Sequence, residues 1–387
     1  MVRKSRPHAG SKGFYPRKRA AKETPGFSTF KPEQAEAKEC RPLNFLVYKA
    51  GMTHVMGRDA HAKGTTFGQE IALPVTVLEA PSLKVFGARA YKKINYGTQP
   101  LMEISIEKPD KEFERRQHSF KKHGKKKREG KKAPVKQKTI EDFEAAKAEI
   151  VDLKLLAYSR PKETGLAKKK PDVLEIALSG SIDAKIAFAR EKIGKEISLQ
   201  DVFRENDFVD AKAVTTGKGT QGPVKRFGIK IQGRKAKRTR AVGSIGPWHP
   251  NTLMWQVARS GQTGYQNRTE LNKKIVKISA KPEEISEINP ASGFKNYGLV
   301  QTNFLLIGGS VPGPVKRAIG LRHSIRAPSY KANRHKLEGI DFIATSRKAS
   351  KIHMDVSAQK IKLEEEKKVE KKSVADEIAS AVKGEKK

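Results

Sequence analysis

Gly217, Gly219 and Gly222 satisfy the spacing GxGxxG, the pattern by which a backbone turn admits the pyrophosphate of a dinucleotide. That chemistry needs the third glycine to open an apolar helix and an acid about twenty residues on to hold a ribose hydroxyl. Here Pro223 follows at once, and the corresponding stretch from Arg234 to Arg240 contains no acid. The glycines read instead as points where the backbone turns sharply and comes close to phosphates. His54, His61, His118, His123, His323 and His335 have no companions at metal-ligand spacing, and no nucleophile elbow is present. Cys40, the only cysteine, has no patterned partner and allows no internal disulfide. The sequence therefore predicts no enzyme, no cofactor and no metal site, since a catalytic site would have to be assembled wholly from distant residues.

A different chemistry is written in the charges. The first nine ionisable side chains from Lys218 to Arg240 are all Lys or Arg, namely Lys218, Lys225, Arg226, Lys230, Arg234, Lys235, Lys237, Arg238 and Arg240. A solvated charge run normally mixes signs, so a run of one sign points to phosphate contact. The strip ends in the two tryptophans of the protein, Trp248 and Trp255. Pro247, His249, Pro250 and Asn251 form turns around Trp248, and no apolar periodicity surrounds it, which favours an exposed ring able to stack on unpaired bases. Trp255 sits in LMWQV, which fits a core strand as well as an RNA contact.

The whole chain carries the same bias, with 80 Lys and Arg against 42 Asp and Glu and a net charge of +38 in 387 residues. Charge of this size repels itself unless a polyanion, an anionic membrane face or an acidic protein neutralises it. The basic residues are spread over several separated stretches, which favours a long folded polyanion such as structured RNA. An apolar content of 36% is low for a chain that is globular throughout. The N-terminus has positive charge without an apolar h-region, and no stretch of about 18 apolar residues occurs, so a soluble, non-exported, cytoplasmic chain is expected. The sequon Asn267-Arg268-Thr269 is, on that expectation, unused.

The elements that must position these residues follow from periodicity. Residues 1–40 form an arm, with eight Lys or Arg up to Lys22 and no acid before Glu23. Short apolar, β-branched runs at 43–52, 71–80 and 83–91 predict strands of a barrel or sandwich. The segment from Arg115 to Lys138 has twelve Lys or Arg and one acid, Glu129, and cannot build a core. Thr139 and Asp142 are spaced as a capping box before a helix with Ile140, Phe143 and Ile150, and 153–158 reads as a strand. Ile182, Ile186, Ala189, Ile193 and Ile197 share one face of a second helix, and Ser198 to Asp201 has capping-box spacing for another helix start. Strands are predicted at 208–214, 273–278 and 299–307, so the chain leaves a β body, makes a long basic excursion and returns to it. Pro312 to Lys336 is a further acid-free stretch with seven Lys or Arg, and 351–387, with ten basic and eight acidic residues, reads as a solvated tail.

Five segments together resemble the large-ribosomal-subunit protein three family, in its archaeal and eukaryotic branch. They are GFYPRKRA (Gly13–Ala20), FLVYKAGMTH (Phe45–His54), GKGTQGPVKRFG (Gly217–Gly228), Ser244–Ile275 and IGGSVPGPVKRAIGLR (Ile307–Arg322). They occur in one order over about residues 3–345, nearly nine-tenths of the chain. The resemblance implies a mainly β protein: a closed six-stranded barrel of the translation-protein type, interrupted by an α/β insertion, with an extended arm and a central finger that penetrate rRNA. On this reading residues 1–40 are the arm, 41–91, 201–216 and 263–345 the barrel body, and 92–200 the insertion with its basic segment 115–138. Residues 217–262 are the finger and 346–387 the tail, for which the family offers no counterpart.

The resemblance also implies a function as a structural, early-assembling constituent of the large subunit, with large-subunit rRNA and neighbouring ribosomal proteins as partners. The rRNA-binding residues would be Arg3, Lys4, Arg6, His8, Lys12, Arg17, Lys18 and Arg19 in the arm, the nine finger cations, and Arg259, Arg268, Lys316, Arg317 and Arg322. Trp248, His249 and Trp255 would form a finger tip near the peptidyl transferase centre. Phe227 stands where archaeal members commonly carry tryptophan, and GPVKRFG looks more archaeal than eukaryotic. Two other classes compete with this reading: a general architectural DNA or RNA binder, which needs charge alone, and an enzyme built on the GxGxxG.

Overall fold

The computed structural model describes residues 15–30, 39–61, 64–106, 110–117, 139–279, 281–327 and 337–342. Arg3, Lys4, Arg6, His8, Lys12, most of the basic segment 115–138 and the tail lie outside them. The protein is mainly β, with strands β1 (Asn44–Asp59), β2 (Glu70–Glu79), β3 (Leu83–Ile94), β4 (Gly97–Ser105), β5 (Asp152–Ser159), β6 (Val173–Ala177) and β7 (Glu196–Ile197). The remaining strands are β8 (Phe208–Val214), β9 (Gly217–Gln221), β10 (Gly261–Gly264), β11 (Asn267–Ser279), β12 (Phe304–Gly308), β13 (Ala318–His323) and β14 (Leu337–Phe342). Among the described residues the helices are short: α1 (Lys111–Glu114), α2 (Ile140–Ala145), α3 (Ile182–Lys192), α4 (Pro223–Phe227) and α5 (Pro282–Ile288).

Six strands pair in a ring, β1 to β2, β12, β11, β8, β13 and back to β1, and β14 adds to the far half of β1. The sequence explains why β1 anchors it. Asn44 to Ala50 are all buried, after which burial alternates toward Asp59, the period-2 pattern of a strand with one face in solvent. Phe45, Leu46, Val47, Val75, Val77, Leu306 and Ile319 are buried completely, and burying an aliphatic or aromatic side chain of this kind contributes roughly 1.5–3 kcal/mol. Four strands in the order β4-β3-β5-β6, with β7 pairing β3, form the second sheet. Its apolar face is part of the same core: Leu83, Val85, Leu155 and Ile176 cluster with the ring residues.

The two sheets are also joined by polar groups. The Asn44 amide donates to the Glu175 carbonyl at 2.9 Å, and its oxygen accepts from the Ala177 N–H at 2.8 Å. The Tyr48 hydroxyl donates to Asp172 at 2.8 Å and lies 2.7 Å from the Ser159 hydroxyl. Buried polar atoms paired in this way fix how one sheet sits on the other, because any sliding would leave them unsatisfied at about 1–3 kcal/mol each.

Several expectations change. Residues 83–91, placed by sequence in the ring body, form β3 of the second sheet, so the crossover falls just after Glu79 rather than at 92. The α3 helix ends at Lys192, because Gly194 takes a positive φ of 85°, and Ile197 is buried in β7 instead of extending the helical face. The Asp201 carboxylate accepts from the Ser198 N–H at 2.8 Å, as a capping box requires, but only a turn follows, since Asn206 reverses the chain at φ 68°. The predicted 299–307 strand is confined to Phe304–Gly308, because the Gln301 and Thr302 N–H groups donate to the buried Glu79 carboxylate at 2.8 and 2.9 Å instead of to a strand. Capping at Thr139 holds, its N–H donating to Asp142 at 2.7 Å.

Candidate nucleic-acid interface

Val214 of β8 and Asn267 of β11 face each other at the rim of the ring, and everything between them leaves it and returns. The root is a two-stranded ribbon in which β9 and β10 run antiparallel, Gln221 opposite Gly261 and Gly217 opposite Gly264. Gly264 has φ 70°, and a Cβ there would lie 2.1 Å from the Thr216 carbonyl oxygen, so no other residue fits. The one-turn α4 starts on Pro223 and stops at Gly228, which is left-handed at φ 67°. This disposes of the dinucleotide geometry, since Gly217 and Gly219 sit in a strand of a two-stranded ribbon and Gly222 precedes a single turn.

Arg226 crosses the ribbon, its Nε donating to the Gln262 carbonyl and Nη1 to the Arg259 carbonyl, each at 3.2 Å. Beyond Gly228 the chain has neither helix nor strand until β10. A loop is nevertheless closed where the Gln232 N–H donates to the Thr239 carbonyl at 2.9 Å and its side chain to the Ala241 carbonyl at 3.2 Å. That closure gathers Arg234, Lys235, Lys237, Arg238 and Arg240 on one exposed lobe. Lys218, Lys225, Lys230 and Arg259 are exposed as well, Arg226 is half-buried, and no acid occurs from Ala211 to Thr269. A cleft of about 270 Å³ lies between the root and the lobe, lined by Gln221, Gly222, Pro223, Val224, Lys225 and Arg240.

The tryptophans stand outside the core. Trp248 is 88% exposed and Trp255 55%, and His249 is exposed beside the first. Of the two readings left open for Trp255 by its sequence, a core strand is therefore excluded. Its ring meets Tyr15 edge-on at 4.8 Å. The arm lies along the root at this point: the Arg17 guanidinium sits 4.4 Å over the Phe227 ring and donates to the Arg226 carbonyl at 3.3 Å, and the Ala20 N–H donates to the Tyr265 carbonyl at 2.8 Å. Phe227 thus serves as an aromatic platform for a cation, a role that needs no indole donor.

The remaining predicted contacts divide. Lys18, Arg19 and Lys316 are exposed, while Arg268 is half-buried against the Gln266 side chain at 3.2 Å. Arg317 pairs with Glu23 at 2.7 Å and covers the Tyr265 ring at 5.1 Å. Arg322 departs from its predicted place: it is buried in β13, and its Nε and Nη2 donate to Asp210 at 3.2 and 3.0 Å while Nη1 donates to the Thr29 carbonyl. It ties the arm to the ring. Lys212, which no sequence motif singles out, does the same work: its Nζ donates to the Gly26 carbonyl at 2.6 Å and sits over Phe27. Burial, helped by Arg322, holds the Lys212 ammonium below its usual range. The only sign of this in the sequence is its place at alternate positions of a strand with Asp210.

Burial pushes the Cys40 thiol up to about 11, the opposite of the lowered value that favours a reactive thiolate. Among the described residues no group of His, Cys, Asp and Glu could hold a metal ion, and no helix is long and apolar enough to cross a membrane. Residues 1–350 match the family model described as Ribosomal protein L3. The chain belongs to the ribosomal protein L3 family. It is 43% identical over 360 residues to "Large ribosomal subunit protein uL3" of Methanosphaera stadtmanae, covering 90% of this chain and 99% of that one. The proteins of the same name from Methanococcus vannielii and Methanocaldococcus jannaschii are 42% and 41% identical, over 84% and 90% of this chain and 93% and 98% of their own. These relatives are archaeal, as the GPVKRFG segment leads one to expect. The L3-family match ends at residue 350, so residues 351–387 lie outside it.

Proposed function

We propose that this L3-family chain is a structural, rRNA-binding constituent of the large ribosomal subunit rather than an enzyme, working in the cytoplasm as part of the ribosome. The observation that carries the proposal is an exposed cationic lobe and two exposed tryptophans, without one acid from Ala211 to Thr269, mounted on a ring with a buried apolar core. Irregular backbone with unpartnered cations is costly for a chain to hold alone, and phosphates satisfy both the charge and the exposed N–H groups. The six-strand ring is read as a closed barrel that serves as the docking body. The excursion is read as a finger running through large-subunit rRNA toward the peptidyl transferase centre, with Trp248, His249 and Trp255 at its far end. Lys225 and Arg240 face one cleft at the root and are assigned to a backbone phosphate there. The arm would enter rRNA alongside, which makes the chain an early component in assembly, with large-subunit rRNA and adjacent ribosomal proteins as partners.

Sedimentation of a cell lysate through sucrose tests this. The chain is expected in the large-subunit fractions at low and moderate salt. Recovery away from them would overturn the proposal and favour a general polyanion binder.

A further inference from the structure

A second projection shares the physical signature of the finger. β3 and β5 pair only as far as Tyr91 opposite Asp152, while β3 and β4 continue together to Ile94 opposite Gly97. The last part of that hairpin therefore stands clear of the sheet as a bare two-stranded ribbon, and every residue from Lys93 to Pro100 is exposed. Its turn holds Asn95 and Tyr96, closed by Gly97 at φ 138°. Tyr96 is 99% exposed, more than Trp248 at 88%, which makes these the two barest large hydrophobic side chains among the described residues.

The charges match. No acid occurs from Ala80 to Met102, and the carboxylates at the ribbon's foot are already engaged. Glu103 accepts from Arg89 at 2.7 Å, and Glu175 accepts from Arg89 at 2.5 Å and from the Tyr91 hydroxyl at 2.9 Å. Lys92 and Lys93 are left without a carboxylate partner among the described residues. A two-stranded ribbon beyond its sheet is marginal in water, and an aromatic at its turn gains nothing from the fold. Two cations just below a bare ring suit a nucleotide: phosphates on either side and an unpaired base stacked on the tyrosine.

We propose that the β3–β4 ribbon is an RNA-contact site separate from the finger, with Tyr96 stacking on an unpaired base and Lys92 and Lys93 holding the flanking phosphates. It rests on the rRNA-binding function proposed above. RNA is favoured over a protein surface because the ribbon is acid-free and its exposed large hydrophobics, Ile94 and Tyr96, are confined to the turn end and form no broad apolar face.

The experiment maps chemical protection of bases in protein-free large-subunit rRNA bound by the full chain, beside Tyr96→Ala, Tyr96→Phe and Lys92→Gln/Lys93→Gln. Tyr96→Ala is expected to lose protection at one local group of unpaired bases and to bind about 5- to 150-fold more weakly, the range for one stacked base. Tyr96→Phe should keep that protection, because the ring does the stacking. The lysine pair should make the slope of log K against log salt shallower by roughly 1.4–1.8. If the wild type binds with its full protection pattern and none of the variants changes it, the ribbon faces protein or solvent and this inference is wrong. If the wild type neither protects the rRNA nor shows a salt-dependent affinity, the proposed function itself fails.

Discussion

Arg322 and Arg238 are the same residue type handled in opposite ways by two regions of one chain. In the ring, Arg322 is buried and fixed by Asp210, and Lys273 and Lys277 of β11 pair with Glu270 and Glu284 at 3.1 Å each. In the excursion, Arg238 and the cations around it are exposed, within a stretch that has no acid to offer them. The buried charges of the ring are satisfied within the chain, by ring groups such as Asp210 and by the arm through Glu23 and the Gly26 and Thr29 carbonyls. The excursion has no acid of its own, and its completion is assigned here to rRNA phosphate as proposed above. Foldability and function are thus separated along the sequence, meeting at the Val214–Asn267 pair.

The strongest way to break this comparison is to remove the buried cation. Arg322→Ala leaves Asp210 charged and 1% exposed, and is expected to cost about 3–5 kcal/mol in denaturant unfolding of the chain. Arg238→Ala should stay within about 0.5 kcal/mol in the same assay. Equal losses would mean that the excursion is part of the folded core after all. Next in size is the junction: Gly264→Ala forces a Cβ to within 2.1 Å of the Thr216 carbonyl at a positive φ, a strain of about 1–3 kcal/mol. Hydrogen exchange should then show lost protection across β9 and β10 with the ring amides unchanged. Loss of ring protection would show that the root and ring unfold as one unit.

A smaller effect comes from His323, which burial holds below its ordinary 6.5 in spite of the opposing Asp207 charge. The Nε2 nitrogen lies 2.9 Å from the Val202 carbonyl, which can only accept, so Nε2 carries a proton and donates. Because the folded pKa is the lower one, the unfolded chain binds more protons between that value and 6.5, and stability falls as pH drops through this window. His323→Gln should flatten the fall that sets in as pH drops below about 6.5, measured as the pH dependence of the unfolding midpoint, while leaving finger-dependent binding unchanged.

How much of this is legible in the sequence follows the same division. Phe208–Val214 is a strand over the full predicted length, and 43–52, 71–80 and 153–158 fall inside or largely inside real strands, because apolar period-2 runs carry their own evidence. The charge of the excursion is equally plain, since it depends on composition and not on folding. What sequence cannot show are tertiary competitions. Glu79 takes the N–H groups of Gln301 and Thr302 away from a predicted strand, Gly194 cuts a helix whose apolar spacing runs on to Ile197, and β3 joins the second sheet although its pattern equals that of its ring neighbours. Arg322 reads as a phosphate-binding cation because its segment is acid-free, whereas its partner Asp210 lies 112 residues away. Tyr96 gives no signal, because one aromatic in a turn has no periodicity to betray it.

The central claim is that the excursion is completed by RNA phosphate and by nothing in the chain. The measurement that meets it most directly is the salt dependence of binding to protein-free large-subunit rRNA for wild type and for a variant with Arg234, Lys235, Lys237, Arg238 and Arg240 all replaced by Gln. With up to five fewer phosphates neutralised, the slope of log K against log salt should become shallower by up to about 3.5–4.5, with the unfolding midpoint unmoved. An unchanged slope in a variant that still folds would contradict the account.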